Sequence, residues 1–296
     1  MHVLLNGRRV SAELAQIPLD DYLTADGLAV TARLYRACPL RLDAHLRILA
    51  SALATPAGNL SFALNPRQVS RELAELVRDE RLFDGLATVA VLPAGRSART
   101  AVFLRENLET VWSRETRGAA IGISGACYPR NATAARLPFI HAPWPRAAAA
   151  EARARNLDGG LVGNALGEVL FAAYADGFLL GDAASSAVFA VVDRALVTPD
   201  PEKNRLPANL MRNLVEETAA RLGVIVYHEP LTPETLARAT EIFTADSARE
   251  IFPLRYCQYS ADAPARTFAD WPTAQMLQTT LQKRIEKEIS MTPPEN

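Results

Sequence analysis

Between Glu168 and Pro199 the sequence reads as four strands in two turn-linked pairs, and a helix follows; no other stretch restricts the fold as tightly. Glu168–Tyr174 and Phe178–Leu180 are apolar runs on either side of Ala175-Asp176-Gly177, which is turn chemistry. Ser186–Val192 and Ala195–Pro199 repeat the pattern about Asp193-Arg194. After Pro207, Leu210, Met211, Leu214, Val215 and Leu222 return at helical spacing. Hairpin-ordered strands with a helix packed after them predict a mixed α/β (α+β) domain.

The N-terminal part predicts a second such unit. Val3–Leu5 reads as a strand ending in an Asn6-Gly7 turn, and residues 28–36 as another strand. Asp43 is placed as the N-cap of a helix through Leu49. A further helix is predicted from Asn65-Pro66 to Leu82, with Val69, Leu73, Leu76 and Val77 on one face, then strands near 87–92 and 100–104. Glycine, proline and asparagine gather between 113 and 136, so the expected division is a small domain over 1–115, a linker over 116–127 and a larger domain over 128–296. The larger domain is expected to hold a helix near 145–156 and strands at Val224–Tyr227 and Glu241–Thr244. Its terminal helix carries Leu277, Leu281, Ile285 and Ile289 four residues apart.

Composition removes several function classes. With 296 residues, 49% hydrophobic, 22% charged and a formal net charge of −1, the chain has neither the polarity of disorder nor the positive charge that nucleic acid or an anionic membrane surface would select. No apolar run approaches the roughly 18 residues of a membrane span, and the start resembles no secretory leader, so a cytoplasmic protein is expected. Cys38, Cys127 and Cys257 are too scattered for a metal site or a disulfide framework. Phosphate-loop, dinucleotide, zinc-protease and serine-hydrolase motifs are absent. The single histidines His2, His45, His141 and His228 read as structural.

One count bears directly on chemistry. Of 32 basic residues only Lys203, Lys283 and Lys287 are lysines, so residues 1–202 carry no side-chain amine at all. Lys283 and Lys287 fall on the polar side of the terminal helix, which leaves Lys203, in Pro199-Asp200-Pro201-Glu202-Lys203-Asn204, as the one weak candidate for amine chemistry.

Taken in order, six segments resemble the class IV aminotransferase family, which includes branched-chain and D-amino-acid aminotransferases and aminodeoxychorismate lyase. They are Leu5-Asn6-Gly7, Ala25–Thr31, Arg41–Leu46, the stretch from Glu168 to Phe189 ending Asp182-Ala183-Ala184-Ser185-Ser186-Ala187-Val188-Phe189, Val197–Pro199 with Leu206-Pro207-Ala208, and Glu241–Ser247 running on to Leu254. The resemblance implies the D-amino-acid aminotransferase-like fold of fold-type IV pyridoxal enzymes and a homodimer. It also implies pyridoxal 5′-phosphate as cofactor and a small amino or carboxylic acid as substrate, with no nucleic-acid or membrane partner. In that family a lysine forms a Schiff base with the cofactor and shuttles its proton, and a carboxylate holds the pyridine nitrogen. An arginine, a helix N-terminus and a small hydroxyl residue bind the phosphate.

Carried over residue by residue, the resemblance puts the carboxylate at Asp182 and the hydroxyl at Ser247. The helix N-terminus falls at Ala208-Asn209-Leu210, with leucine where the family has threonine. The arginine position falls at Ile48, beside Arg47. The lysine position falls at Pro138, at Arg146 or Ala147, or at Arg153, depending on the anchoring segment. None is an amine, and a guanidinium stays protonated and non-nucleophilic near neutral pH. Two readings follow: nominal pyridoxal-dependent amino-group or C–C lyase chemistry without its Schiff-base lysine, or a pseudoenzyme that uses the cleft implied by the family for another small carboxylate or a partner protein.

Overall fold

The computed structural model describes residues 2–13, 27–55, 64–94, 97–107, 119–123, 137–138, 154, 169–174, 178–183, 186–202, 206, 208–229, 231–258 and 266–291. The chain divides into two units. One comprises Met1–Leu108, Leu137–His141 and Ile285–Asn296, and the other Glu109–Arg136 and Ala142–Arg284.

In the first unit, β1 (His2–Leu5), β2 (Arg8–Ser11), β3 (Leu28–Tyr35), β4 (Cys38–Pro39), β5 (Asp84–Ala94) and β6 (Ser97–Glu106) form an antiparallel sheet in the order β2-β1-β6-β5-β3-β4. Two helices, α1 (Leu42–Leu53) and α2 (Pro66–Glu80), belong to the same unit. Alternate strand residues Leu28, Val30, Leu34, Val89, Val91 and Leu104 share one core with Leu46, Leu49, Leu73 and Leu76 from the helices. Period-two and period-3.6 patterns therefore meet there, each such side chain contributing roughly 1.5–3 kcal/mol.

The helix ends follow from local chemistry. Asn65 caps α2 by accepting from Gln68 N–H at 3.2 Å, and Pro66 occupies the first helical position, where its missing N–H costs nothing. That helix stops at Glu80 because Arg81 turns left-handed, φ 53°. For α1 the expectation is corrected. The helix begins at Leu42 and its N-cap is Arg41, left-handed at φ 50° with no side-chain cap. Asp43 lies inside the first turn, where a carboxylate still favours the helix dipole. At the Asn6-Gly7 turn both residues have positive φ, 50° and 73°, as a two-residue hairpin of this hand requires.

The second unit is built on β7 (Ala119–Ile123), β8 (Val169–Tyr174), β9 (Phe178–Ala183), β10 (Ala187–Val192), β11 (Ala195–Thr198), β12 (Val226–His228), β13 (Glu241–Asp246), β14 (Glu250–Gln258) and β15 (Arg266–Thr267). Their order is β12-β11-β10-β13-β14-β7-β8-β9, with β15 on β14. The hairpin expected around Ala175–Gly177 is β8–β9 and the one around Asp193-Arg194 is β10–β11. Strand β7 lies in the segment expected to be a linker. The helix expected at 145–156 falls outside the described residues but for Ala154, which is helical.

Helices α3 (Leu210–Arg221) and α4 (Pro233–Arg238) pack in the second unit, while α5 (Pro272–Met291) passes from the second unit into the first at Ile285. Of the apolar positions expected on α3, Met211, Leu214 and Val215 are buried, whereas Leu222 lies exposed at the helix end. The N-terminus of α5 is capped from the sheet: Glu241 accepts from Thr273 and Ala274 N–H, each at 2.9 Å. Among the described residues no helix is long and apolar enough to cross a membrane, and no cluster of side chains is composed to hold a metal ion.

Candidate functional site

Strand register brings three loops to one end of the second sheet. Ala187, which opens β10, faces Ala245 near the end of β13, and Thr198, which closes β11, donates its hydroxyl to Val188 O at 2.8 Å. The β13–β14 turn, the start of β10 and the connection from β11 to α3 therefore share this end. Phe189 and Phe243 stack there with ring centroids 5.1 Å apart, a rigid apolar floor.

The β13–β14 turn is organised by a buried carboxylate. Asp246 Oδ1 accepts from Ala248 N–H and Arg249 N–H, both at 2.8 Å. Its Oδ2 accepts from Ser186 Oγ at 2.8 Å and from Arg249 Nε at 3.0 Å, and Arg249 Nη2 closes on the same oxygen. Arg249 Nη2 also donates to Ser186 Oγ at 3.0 Å, and its guanidinium lies over the Phe252 ring at 5.4 Å. All three polar side chains are buried. Two backbone N–H groups converging in a turn form a natural anion nest. Here the nest already holds an anion, supplied by the chain itself.

Helix α3 reaches the same end of the sheet. Asn209 caps it by accepting from Arg212 N–H at 3.1 Å. Buried Arg212 donates to the Thr198 hydroxyl and to Pro199 O, the latter at 3.3 Å, and sits over Phe189 at 5.7 Å. That guanidinium pins the first turn of the helix to the end of β11.

The residues singled out in the sequence fall as follows. Ser247 is half-buried on the β13–β14 turn, next to Asp246. Ala208, Asn209 and Leu210 form the α3 N-terminus, Ala208 exposed and the other two partly so. These four positions share one end of one sheet. Asp182 is on β9, with its side chain outside what is described. Arg47 is exposed on α1 of the first unit, its Nε turned back to Asp43 O at 3.3 Å, and neighbouring Ile48 packs on the core. Pro138 also lies in the first unit, where its carbonyl accepts from Ala29 N–H at 2.9 Å. Arg146, Ala147, Arg153 and Lys203 are outside the described residues.

The sequence reading missed Asp246, Arg249, Ser186 and Arg212 as members of the site. Only Arg212 left a signal, a charged residue on the apolar face of α3 between Met211 and Leu214. Of the histidines, His45 is held neutral, its pKa pushed down to about 4 by burial, while His2 and His228 pair with Glu80 and Glu216. Cys257 is a buried thiol whose pKa burial pushes up to about 12, an inert packing group.

A family model described as amino-transferase class IV matches residues 27–257. The chain belongs to that family. No curated protein is matched by the sequence. Among solved structures it is similar to a branched-chain aminotransferase from the thermophilic archaeon Thermoproteus uzoniensis with norvaline, at TM-score 0.83 and 21% identity, over 100% of this chain and 99% of the other. A branched-chain aminotransferase from Thermobaculum terrenum in its PLP form matches at TM-score 0.78 and 18% identity, over 97% and 94%. A putative 4-amino-4-deoxychorismate lyase from Legionella pneumophila matches at TM-score 0.76 and 14% identity, over 92% and 96%. These likenesses show the fold-type IV aminotransferase architecture.

In this class IV chain the pyridoxal 5′-phosphate that the family implies would need an amine for its aldehyde and a ring of donors for a dianionic phosphate. The described residues do not fit those demands. The two N–H groups of the β13–β14 nest are taken by Asp246 and so are not offered to a phosphate. Leu210 brings no hydroxyl to the helix N-terminus, and Arg47 is turned to Asp43. The Ser247 hydroxyl and the leading turn of α3 are the family-matched donors that stay at this end of the sheet.

Proposed function

We propose that this class IV chain binds a small carboxylate reversibly at the end of the second sheet and carries no covalently held cofactor. The observation that carries the reading is the Asp246 carboxylate seated on the N–H groups of Ala248 and Arg249, with Arg249 and Ser186 completing its coordination. The lack of any lysine in residues 1–202 supports it independently, because neither arginine nor proline can supply a nucleophilic amine. A monoanion needs only the half-buried Ser247 hydroxyl and the partial positive charge of the α3 N-terminus. On this reading the family fold is retained and transaminase chemistry is not.

The deciding experiment is to incubate the purified protein with pyridoxal 5′-phosphate, reduce with borohydride and map any labelled peptide. The expected result is a colourless protein after dialysis and no labelled peptide. A coloured preparation with one stoichiometrically labelled lysine would refute the proposal. A second reading, pyridoxal chemistry run by a displaced lysine, is favoured by the place of Lys203 in the connection between Thr198 and Asn209. Label on Lys203, lost in Lys203→Ala together with any transaminase or lyase activity, would establish that reading. We also infer a homodimer from the family resemblance, to be measured by sedimentation.

A further inference from the structure

The first unit holds a cavity of about 720 Å³ between the β3–β4 turn, the start of α1, the C-terminal half of α2 and the last turns of α5. Four arginines line it, Arg36, Arg41, Arg78 and Arg81, against the carboxylates of Asp43 and Glu288. Glu288 is engaged by Arg41 Nε at 3.0 Å. Arg36, Arg78 and Arg81 have no carboxylate partner among the described residues, so the described lining, four arginines against Asp43 and Glu288, is net positive. The cavity mouth bears Phe83, 70% exposed. Ala37, Leu42 and Val77 contribute an apolar wall.

The backbone singles out the same place. Eight non-glycine residues among those described have positive φ, and four of them line this cavity: Arg36 at 51°, Ala37 at 66°, Arg41 at 50° and Arg81 at 53°. Glycine adopts that conformation without steric cost, and arginine does not. The chain thus accepts a strained residue at three turns and gains a guanidinium at the rim of one cavity each time. Strain of this kind, observed first, is grounds for a functional hypothesis.

We propose that this cavity binds a small dianion, a phosphomonoester or a pair of neighbouring carboxylates, carried on a planar apolar ring. Guanidinium groups fork onto such anions with paired hydrogen bonds, and the ring is matched by Phe83 and the apolar wall. Every lining residue belongs to the first unit, so the proposal does not depend on the reading of the second unit.

Calorimetric titration of the full chain with phenyl phosphate, phthalate, inorganic phosphate and phenol tests the proposal. Phenyl phosphate or phthalate should bind, weakening as salt is raised, with inorganic phosphate weaker and phenol undetectable. Whichever ring dianion binds names the source of the charge. The double variant Arg78→Gln/Arg81→Gln, on exposed helix-end positions, should weaken the ring dianion by about tenfold or more. Phe83→Ser should weaken it several-fold while sparing inorganic phosphate. Circular dichroism of both variants should match the parent. The proposal is overturned if neither ring dianion binds at millimolar concentration, or if binding is unchanged in the arginine variant. It is also overturned if Phe83→Ser abolishes self-association while no probe binds, because the face would then be a contact between copies of the chain.

Discussion

Removing the Asp246 carboxylate tests the central geometry of the second unit most directly. Asp246→Ala strands the Arg249 guanidinium, which is 3% exposed, and leaves Ala248 N–H and Arg249 N–H without their acceptor. Breaking a buried ion pair from one side costs about 3–5 kcal/mol, and the two amide bonds to a charged acceptor, about 1.5–3 kcal/mol each, overlap with that figure. A loss of about 4 kcal/mol in urea unfolding of the full chain is therefore expected. Arg249→Met should cost less, because Asp246 keeps Ser186 Oγ and the two N–H donors. Asp246→Asn, which retains an oxygen for the nest, should fall between these. The pair Asp246→Ala/Arg249→Met should be more stable than Asp246→Ala alone, since no charge is then left buried. If Asp246→Ala loses under about 1 kcal/mol, or the two single losses simply add, the nest is not organised as described.

Three further outcomes are expected. His45 has its pKa lowered from 6.5 to about 4 by burial, so the unfolded chain takes up a proton that the folded chain refuses. Stability should thus fall as the pH drops from about 6.5 to about 4, by about 3 kcal/mol at about 1.4 kcal/mol per pH unit, and level off below; His45→Gln, followed by urea titration across that range, should abolish this part of the slope. Glu241→Ala uncaps α5 at two N–H groups and should cost about 2 kcal/mol, with hydrogen exchange rising first at Thr273 and Ala274. Asn209→Ala should cost about 1 kcal/mol in urea unfolding through loss of the α3 cap.

Most of the architecture was legible because local chemistry and global packing agree. Val69, Leu73, Leu76 and Val77 announce α2, Asn65-Pro66 its start, and Asp193-Arg194 the turn between β10 and β11. The start of α1 misled because Arg41 makes the cap with its backbone, a left-handed residue no composition rule favours, while Asp43 has the residue type that usually caps. The candidate site was half legible. Ser247 and the α3 N-terminus follow from segment order, because their chemistry is local. The Asp246–Arg249–Ser186 cluster joins residues 60 and 63 positions apart, and nothing in either segment signals the other. Four left-handed residues around one cavity are equally invisible to periodicity, since three are arginines and one is alanine.

The cap that Glu241 places on α5 has a consequence for how the chain matures in a cell. Strand β13 is synthesised 32 residues before Thr273, so on the ribosome Glu241 waits for its partners for seconds at ordinary translation rates of roughly 5–20 residues per second. The same last helix completes the other unit, which counts Ile285–Asn296 among its residues. Neither unit has all of its helices before α5 is made. A chain cut near residue 270 would therefore lack the helix that the two units share.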